Sequence, residues 1–289
     1  MYNIGILQLT QNLDDAVHGF KQGLADAGIS AKFHYVNADG NLAELPKLAE
    51  KLSELKVDLI FACSTPSANA AISLAANIPV VFTPVFDPVG AGLVKTMNIP
   101  GGKATGVSGM VKASDKIAFI KNLLPSANKI GILFHTADSN AIVETNNFKT
   151  AAAEVFDLVE IPINTPEDIS NLEELLPKDL EAVFVPIGRV IEENFASVVY
   201  YTDAINLPII ASHAPNVAAG ALGALVANHS NLGRECAVKT VDILKGTDAG
   251  IIPVGIVEQP EILLNSFVAN NLGIALPGSL LEKAKEIYE

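Results

Sequence analysis

Two cysteines and five histidines could supply nucleophiles or bases, and their placement argues against that use. Cys63 sits in Cys63-Ser64-Thr65, directly after an apolar run, whereas Cys236 falls inside the helical pattern Leu232–Leu244. A two-thiol proton transfer needs both thiols at one site. Two cysteines alone make neither a disulfide framework nor a zinc site, so both read as free and buried. His18 and His34 read as surface residues; His135 and His213 follow apolar runs and are candidates to line a cleft. No H-x-x-x-H pair, G-x-S-x-G elbow or matched carboxylate pair occurs. The glycines after Asp87 are too irregular for a phosphate loop, so no cofactor and no metal is expected.

The chemistry that remains is non-covalent capture. Ser64 and Thr65 precede a helical pattern, where free backbone N–H groups and the positive helix end suit a carboxylate or phosphate. Plain N-capping is the alternative. Ser139 and Asn140 stand in a corresponding place further on. Arg189 is one of only two arginines, the other being Arg234. It reads either as a bidentate partner for an anion or as an exposed helix start. Asp87 reads as a partner for an amine or as a turn residue before Pro88.

The elements that must position these residues alternate. Strands are expected at Ile4–Leu7, Ala31–Val36, Asp58–Ala62 and Ile78–Thr83, with helices at Asp14–Ala27, Leu42–Leu55 and Thr65–Ala76. That order gives a parallel sheet covered by helices. The pattern then repeats. Lys129-Ile130-Gly131-Ile132-Leu133 echoes Ile4-Gly5-Ile6-Leu7, Ala182–Val185 echoes Leu59–Ala62, and Leu207–Ser212 echoes Ile78–Thr83. The fold class is therefore α/β, with two similar Rossmann-like lobes joined by a hinge. Residues 1–109 plus 228–258 are expected to form lobe one, and 110–227 plus 259–289 lobe two. Open parallel sheets bind ligands beyond the carboxyl ends of their strands. The residues that follow strands are thus the site candidates for a cleft between the lobes. Gln8, Thr10, Ser64, Thr65, Phe86 and Asp87 fill that place in lobe one; His135, Ser139, Asn140, Gly188, Arg189 and His213 fill it in lobe two.

Composition narrows the partners. The chain has 289 residues, 49% apolar and 18% charged, which excludes a disordered polypeptide. Its net charge of −13 argues against nucleic acid and anionic membrane surfaces. No segment is long and apolar enough for a membrane span, and Met1 is followed at once by a strand pattern rather than a leader.

Several stretches together resemble one family. They are Val57-Asp58-Leu59-Ile60, Ser64-Thr65-Pro66, Ile78-Pro79-Val80-Val81-Phe82, Asp87-Pro88-Val89-Gly90-Ala91-Gly92-Leu93-Val94 and Pro100-Gly101-Gly102-Lys103-Ala104-Thr105-Gly106-Val107-Ser108. Ile6-Leu7-Gln8, Gly19–Leu24, Ile120–Pro125 and the tail Leu272–Pro277 add to them. They look like the ABC-transporter solute-binding proteins of the tryptophan/tyrosine type, over essentially the whole chain. The resemblance implies a type I periplasmic-binding fold with three interlobe crossings and no catalysis. It implies capture of an aromatic amino acid or related carboxylate and delivery to an ABC permease. It also implies an extracytoplasmic place, periplasmic or lipid-anchored, and a monomer; the start at Met1 by itself reads either as a cytosolic protein or as a form from which a leader was removed. By that resemblance Gln8, Thr65 and Asp87 line lobe one, Thr65 and neighbouring amides hold a carboxylate, Phe86 stacks on the solute, and Ser139 and Asn140 contribute from lobe two.

This sequence departs from the family where Pro186-Ile187-Gly188-Arg189 replaces the common Pro-Thr-Asp-Asn, and where the opening loop lacks an acidic residue. Both departures make a carboxylate-bearing apolar or aromatic compound a competitor to a free amino acid. Two other functions stay open on the sequence: an extracellular sensing domain of a signalling protein, and a cofactor-independent racemase or isomerase using Cys63.

Overall fold

Runs of fully buried apolar residues alternate with amphipathic helices through a computed structural model that describes residues 1–74 and 77–289. The chain divides into two units. Unit 1 comprises Met1–Met110 and Ala227–Glu258; unit 2 comprises Val111–Val226 and Gln259–Glu289.

Unit 1 holds five strands: β1 (Tyr2–Gln8), β2 (Ala31–Asn37), β3 (Leu59–Cys63), β4 (Val80–Val85) and β5 (Ala104–Ser108). They pair in parallel in the order β2-β1-β3-β4-β5. β3 is buried at every position, as a central parallel strand covered on both faces must be. Unit 2 holds β6 (Lys129–His135), β7 (Asp157–Ile163), β8 (Ala182–Val185), β9 (Ile209–Ala211), β10 (Gly223–Val226), β11 (Glu261–Asn265) and β12 (Ala284–Tyr288). Their order is β12-β11-β10-β9-β8-β6-β7. Read from β7, the first five repeat the winding of unit 1; β11 then adds antiparallel to β10. The repeat in the sequence is thus a repeat in topology.

The same aromatic contact recurs in each unit. Phe20, on the helix Asp14–Asp26, stacks on Phe61 of β3 with ring centroids 4.0 Å apart. Phe148, on the helix Ser139–Ala152, stacks on Phe184 of β8 at 4.3 Å. All four rings are fully or almost fully buried. In each unit the helix after the first strand is thereby fixed over the central strand.

Two expected elements differ. Leu42–Leu55 is not one helix: Asn41 caps a 3-10 turn over Leu42–Glu44, and an α-helix follows over Leu45–Glu54. Pro46 lacks an N–H and suits only a first turn, so the α-helix begins beside it. The helix expected over Thr65–Ala76 is described as Thr65–Leu74, and Ala75 and Ala76 lie outside the described residues.

Candidate functional site

In unit 1 the carboxyl ends of β1, β3 and β4 are neighbours, because β1 pairs with β3 and β3 with β4. The candidates that follow these strands share one end of that sheet. Gln8, the last residue of β1, is fully buried. Its Nε2 donates to Asp14 Oδ1 at 3.1 Å, and its Oε1 accepts from Tyr35 Oη at 2.8 Å. Gln8 therefore braces Asp14 and Tyr35 rather than presenting its own amide. Asp14 also brings an acidic group to the end of β1, which the spacing of the opening loop did not show. Thr10 is half-buried and precedes a 3-10 turn without capping it through its side chain.

Ser64 turns the chain sharply from β3 into the helix Thr65–Leu74. Its φ of 97° lies in the left-handed region, which strains a non-glycine residue by about 1–3 kcal/mol. The turn is held by sheet and helix bonds: Ser64 N–H donates to Thr83 O at 3.1 Å, and Ala68 N–H donates to Ser64 O at 3.0 Å. The Ser64 hydroxyl donates to Ser67 Oγ at 3.0 Å and receives a longer contact, 3.4 Å, from Ser67 N–H. A neutral serine thus caps this helix, and Thr65 stands half-buried at its first position. Asp87 serves the turn that follows β4. Its Oδ1 accepts from Gly90 N–H at 2.8 Å, and its carboxylate fills the place a Cβ at Gly90 would take. Phe86 is half-buried, and its carbonyl accepts from Ser108 Oγ at 3.1 Å.

In unit 2 the corresponding end also carries acidic groups. The helix after β6 is capped by Asp138, whose carboxylate accepts from Asn140 N–H at 2.9 Å and Ala141 N–H at 3.2 Å. Ser139 is exposed and Asn140 half-buried. Position after a strand equates Ser139 and Asn140 with Ser64 and Thr65, but the topology does not: β6 matches β1, so their helix matches Asp14–Asp26, which also opens on acidic residues. The negative cap makes the two pairs unequal as well, because an incoming carboxylate meets Asp138 there. After β8, Gly188 N–H donates to Glu192 Oε1 at 3.0 Å. Glu192 also faces the His213 ring, with 3.8 Å between Oε2 and Nδ1. His135 closes β6, and its Nδ1 is buried without a hydrogen-bond partner. A Cβ at Gly188 would lie 3.7 Å from His135 Cβ, so these two residues adjoin.

Arg189 departs from the anion-binding expectation. Its side chain is 82% exposed and its Nε donates to Glu193 Oε1 at 2.7 Å, one helical turn on. The guanidinium is committed to its own short helix, Arg189–Glu193. Glu192, on that same helix, places a carboxylate beside Gly188 that Pro186–Arg189 itself lacks. Its place four residues after Gly188 was the available signal.

Both thiols are fully buried in unit 1, and burial pushes both well above the ordinary thiol range. A buried, protonated thiol is no base, which removes the racemase reading. No group of three or more His, Cys, Asp or Glu able to hold a metal ion occurs among the described residues.

Two α/β units of the same winding, each with polar residues gathered at the carboxyl end of its sheet, define a solute-binding protein with the type I periplasmic-binding fold. The chain belongs to the ABC transporter substrate-binding protein family, whose model matches residues 3–288. It is 32% identical over 270 residues to the tyrosine-binding protein of Clostridioides difficile (strain R20291), covering 91% of this chain and 78% of that one. Among solved structures it is similar to the ABC domain in complex with L-Trp from Streptococcus pneumoniae, at 28% identity and a TM-score of 0.84, covering 99% of each chain. It is also similar to the ligand-free, open structure of a Clostridium difficile substrate-binding protein with adhesive properties. That match has 29% identity and a TM-score of 0.90, covering 100% of this chain and 99% of that one. The family binds solutes and does not transform them; this chain is not an enzyme.

Proposed function

We propose that this chain is the solute-capturing component of an ABC import system and that its solute is an aromatic α-amino acid. The observation that carries the reading is its 32% identity, over 91% of its length, to a tyrosine-binding protein. The L-Trp complex of a second relative supports it.

The geometry of each unit supports an amino acid over a simple anion. The neutral cap at Ser64 leaves the helix start at Thr65 suited to the carboxylate. Asp138 and Glu192 give unit 2 the negative charge that an ammonium group requires. Phe86 offers a half-buried ring for stacking. Arg189, exposed and paired, is not assigned a solute contact. The protein changes conformation on capturing its solute; the ligand-free relative described as open supports such a change. The protein works as a monomer outside the cytoplasmic membrane, free or lipid-anchored, and hands its solute to a permease. No helix among the described residues is long and apolar enough to cross a membrane.

A thermal-shift screen of refolded, ligand-stripped protein tests this. The panel is Tyr, Trp, Phe, the branched-chain amino acids and their deaminated analogues. At hundredfold excess over Kd a true solute adds about 2.7 kcal/mol, a rise of several degrees. The expected shift comes with Tyr or Trp and not with the deaminated acids. If Thr65→Ala and Asn140→Ala both leave affinity within about 0.5 kcal/mol, the site has been misplaced.

A further inference from the structure

Unit 2 contains a buried ion pair that capture of a solute does not by itself explain. Lys116, on the helix Ala113–Leu123, is 4% exposed; Glu144, on the helix Ser139–Ala152, is 3% exposed. Lys116 Nζ donates to Glu144 Oε1 and, at 2.7 Å, to Ser212 Oγ. Ser212, directly after β9, donates its hydroxyl proton to Glu144 Oε1 at 2.6 Å. The other carboxylate oxygen, Oε2, accepts from the backbone N–H of Ile187, two residues after β8, at 2.9 Å. One carboxylate thus ties the ends of β8 and β9 to the helix that follows β6. Lys116 Nζ also lies 5.5 Å from the centroid of Phe184, so the cluster rests on the stacked phenylalanines.

Packing alone does not call for these charges, because unit 1 fills the same place without them. Glu144 stands one turn before Phe148, as Ala16 stands one turn before Phe20. There, Gly233 lies so close that a Cβ on it would be 2.0 Å from Ala16 O. The residue matching Ser212 is Thr83, whose hydroxyl donates to Val107 O at 3.0 Å. A buried ion pair gains little over well-packed apolar residues, because desolvating two charges offsets their attraction.

We infer that Glu144, neutralised by Lys116, is a positioning residue for solute binding: it fixes the loop Pro186–Arg189 and Ser212–His213 in the arrangement that receives the solute. The inference rests on the reading that these strand ends take part in binding. Gly188, next to the tied Ile187, adjoins His135 and holds Glu192, so slack at Ile187 reaches the acidic group assigned to the ammonium. A binding constellation held loosely by its supporting groups loses affinity without losing the fold.

The test compares the wild type with the paired variant Lys116→Met/Glu144→Met, which removes both charges and leaves neither uncompensated. Melting temperature, amide hydrogen exchange and calorimetric affinity for L-tyrosine and L-tryptophan are read together. The paired variant should keep a melting temperature close to the wild type. Exchange at Ile187 and Gly188 should speed up about tenfold while Val183–Val185 stay protected. Affinity for the amino acid should fall about tenfold. Exchange and affinity both within a factor of about two of the wild type would overturn the inference. Should the paired variant not fold, Ser212→Ala, which cuts only the β9 tie, is read the same way. If the wild type binds neither amino acid, the ligand reading fails and the exchange at Ile187 and Gly188 alone decides whether Glu144 positions the loop.

Discussion

The helix after the first strand lays a phenylalanine over the central strand in both units, and the two units differ in what stands one turn before it. In unit 1 it is a small residue in close backbone contact: Cβ atoms added at Gly19 and Gly233 would each fall 2.0 Å from a carbonyl oxygen of the facing helix. In unit 2 it is Glu144, paired with Lys116. One winding has thus been given an apolar and a charged version of the same buried place.

That contrast can be broken in graded steps. The largest effect is expected from a single charge deletion in unit 2. Lys116→Met leaves Glu144 buried and uncompensated, and should lower stability by about 3–5 kcal/mol in urea unfolding. The unit 1 counterpart is Gly233→Ala, whose added methyl meets Ala16 O; about 1–3 kcal/mol should be lost by the same measurement. Asp138→Ala removes the cap of the helix after β6 and should lower stability by about 1 kcal/mol. Arg189→Ala breaks an exposed pair and should change stability by no more than about 0.5 kcal/mol, leaving L-tyrosine affinity unaltered in calorimetry. A large affinity loss there would restore the anion reading. Thr145→Val is the mildest: it replaces a buried hydroxyl that has no hydrogen-bond partner, and melting should be unchanged or slightly higher.

The strands and the doubled winding were legible because parallel strands buried on both faces read as short apolar runs, and Pro79 and Pro208 mark matching strand starts. The helix break at Pro46 was legible in principle, since proline suits only a first turn. The site was legible only as a set of places. Position after a strand named Ser64, Thr65 and Gly188 as candidates, and it could not say which side chains would be consumed by local structure. Gln8, Asp87 and Arg189 are engaged by Asp14 and Tyr35, by Gly90, and by Glu193. Those partners follow from turn and helix geometry that spacing alone leaves open. Asp138 and Glu192 carried short-range signals, a capping position and an i, i+4 reach, that outweigh their residue type. Lys116 and Glu144 come together from different helices. The sole sequence hint was a charge one turn from Phe148 on a buried helix face.

The central claim is the proposed one, that the solute is an aromatic α-amino acid held by both its charges. Titration calorimetry of the ligand-stripped protein with L-tyrosine, its deaminated acid and its decarboxylated amine tests it most directly. L-tyrosine should bind at least about a hundredfold more tightly than either analogue, a difference of about 2.7 kcal/mol. Equal affinity for the deaminated acid would contradict the claim, because Asp138 and Glu192 would then have no ammonium to hold.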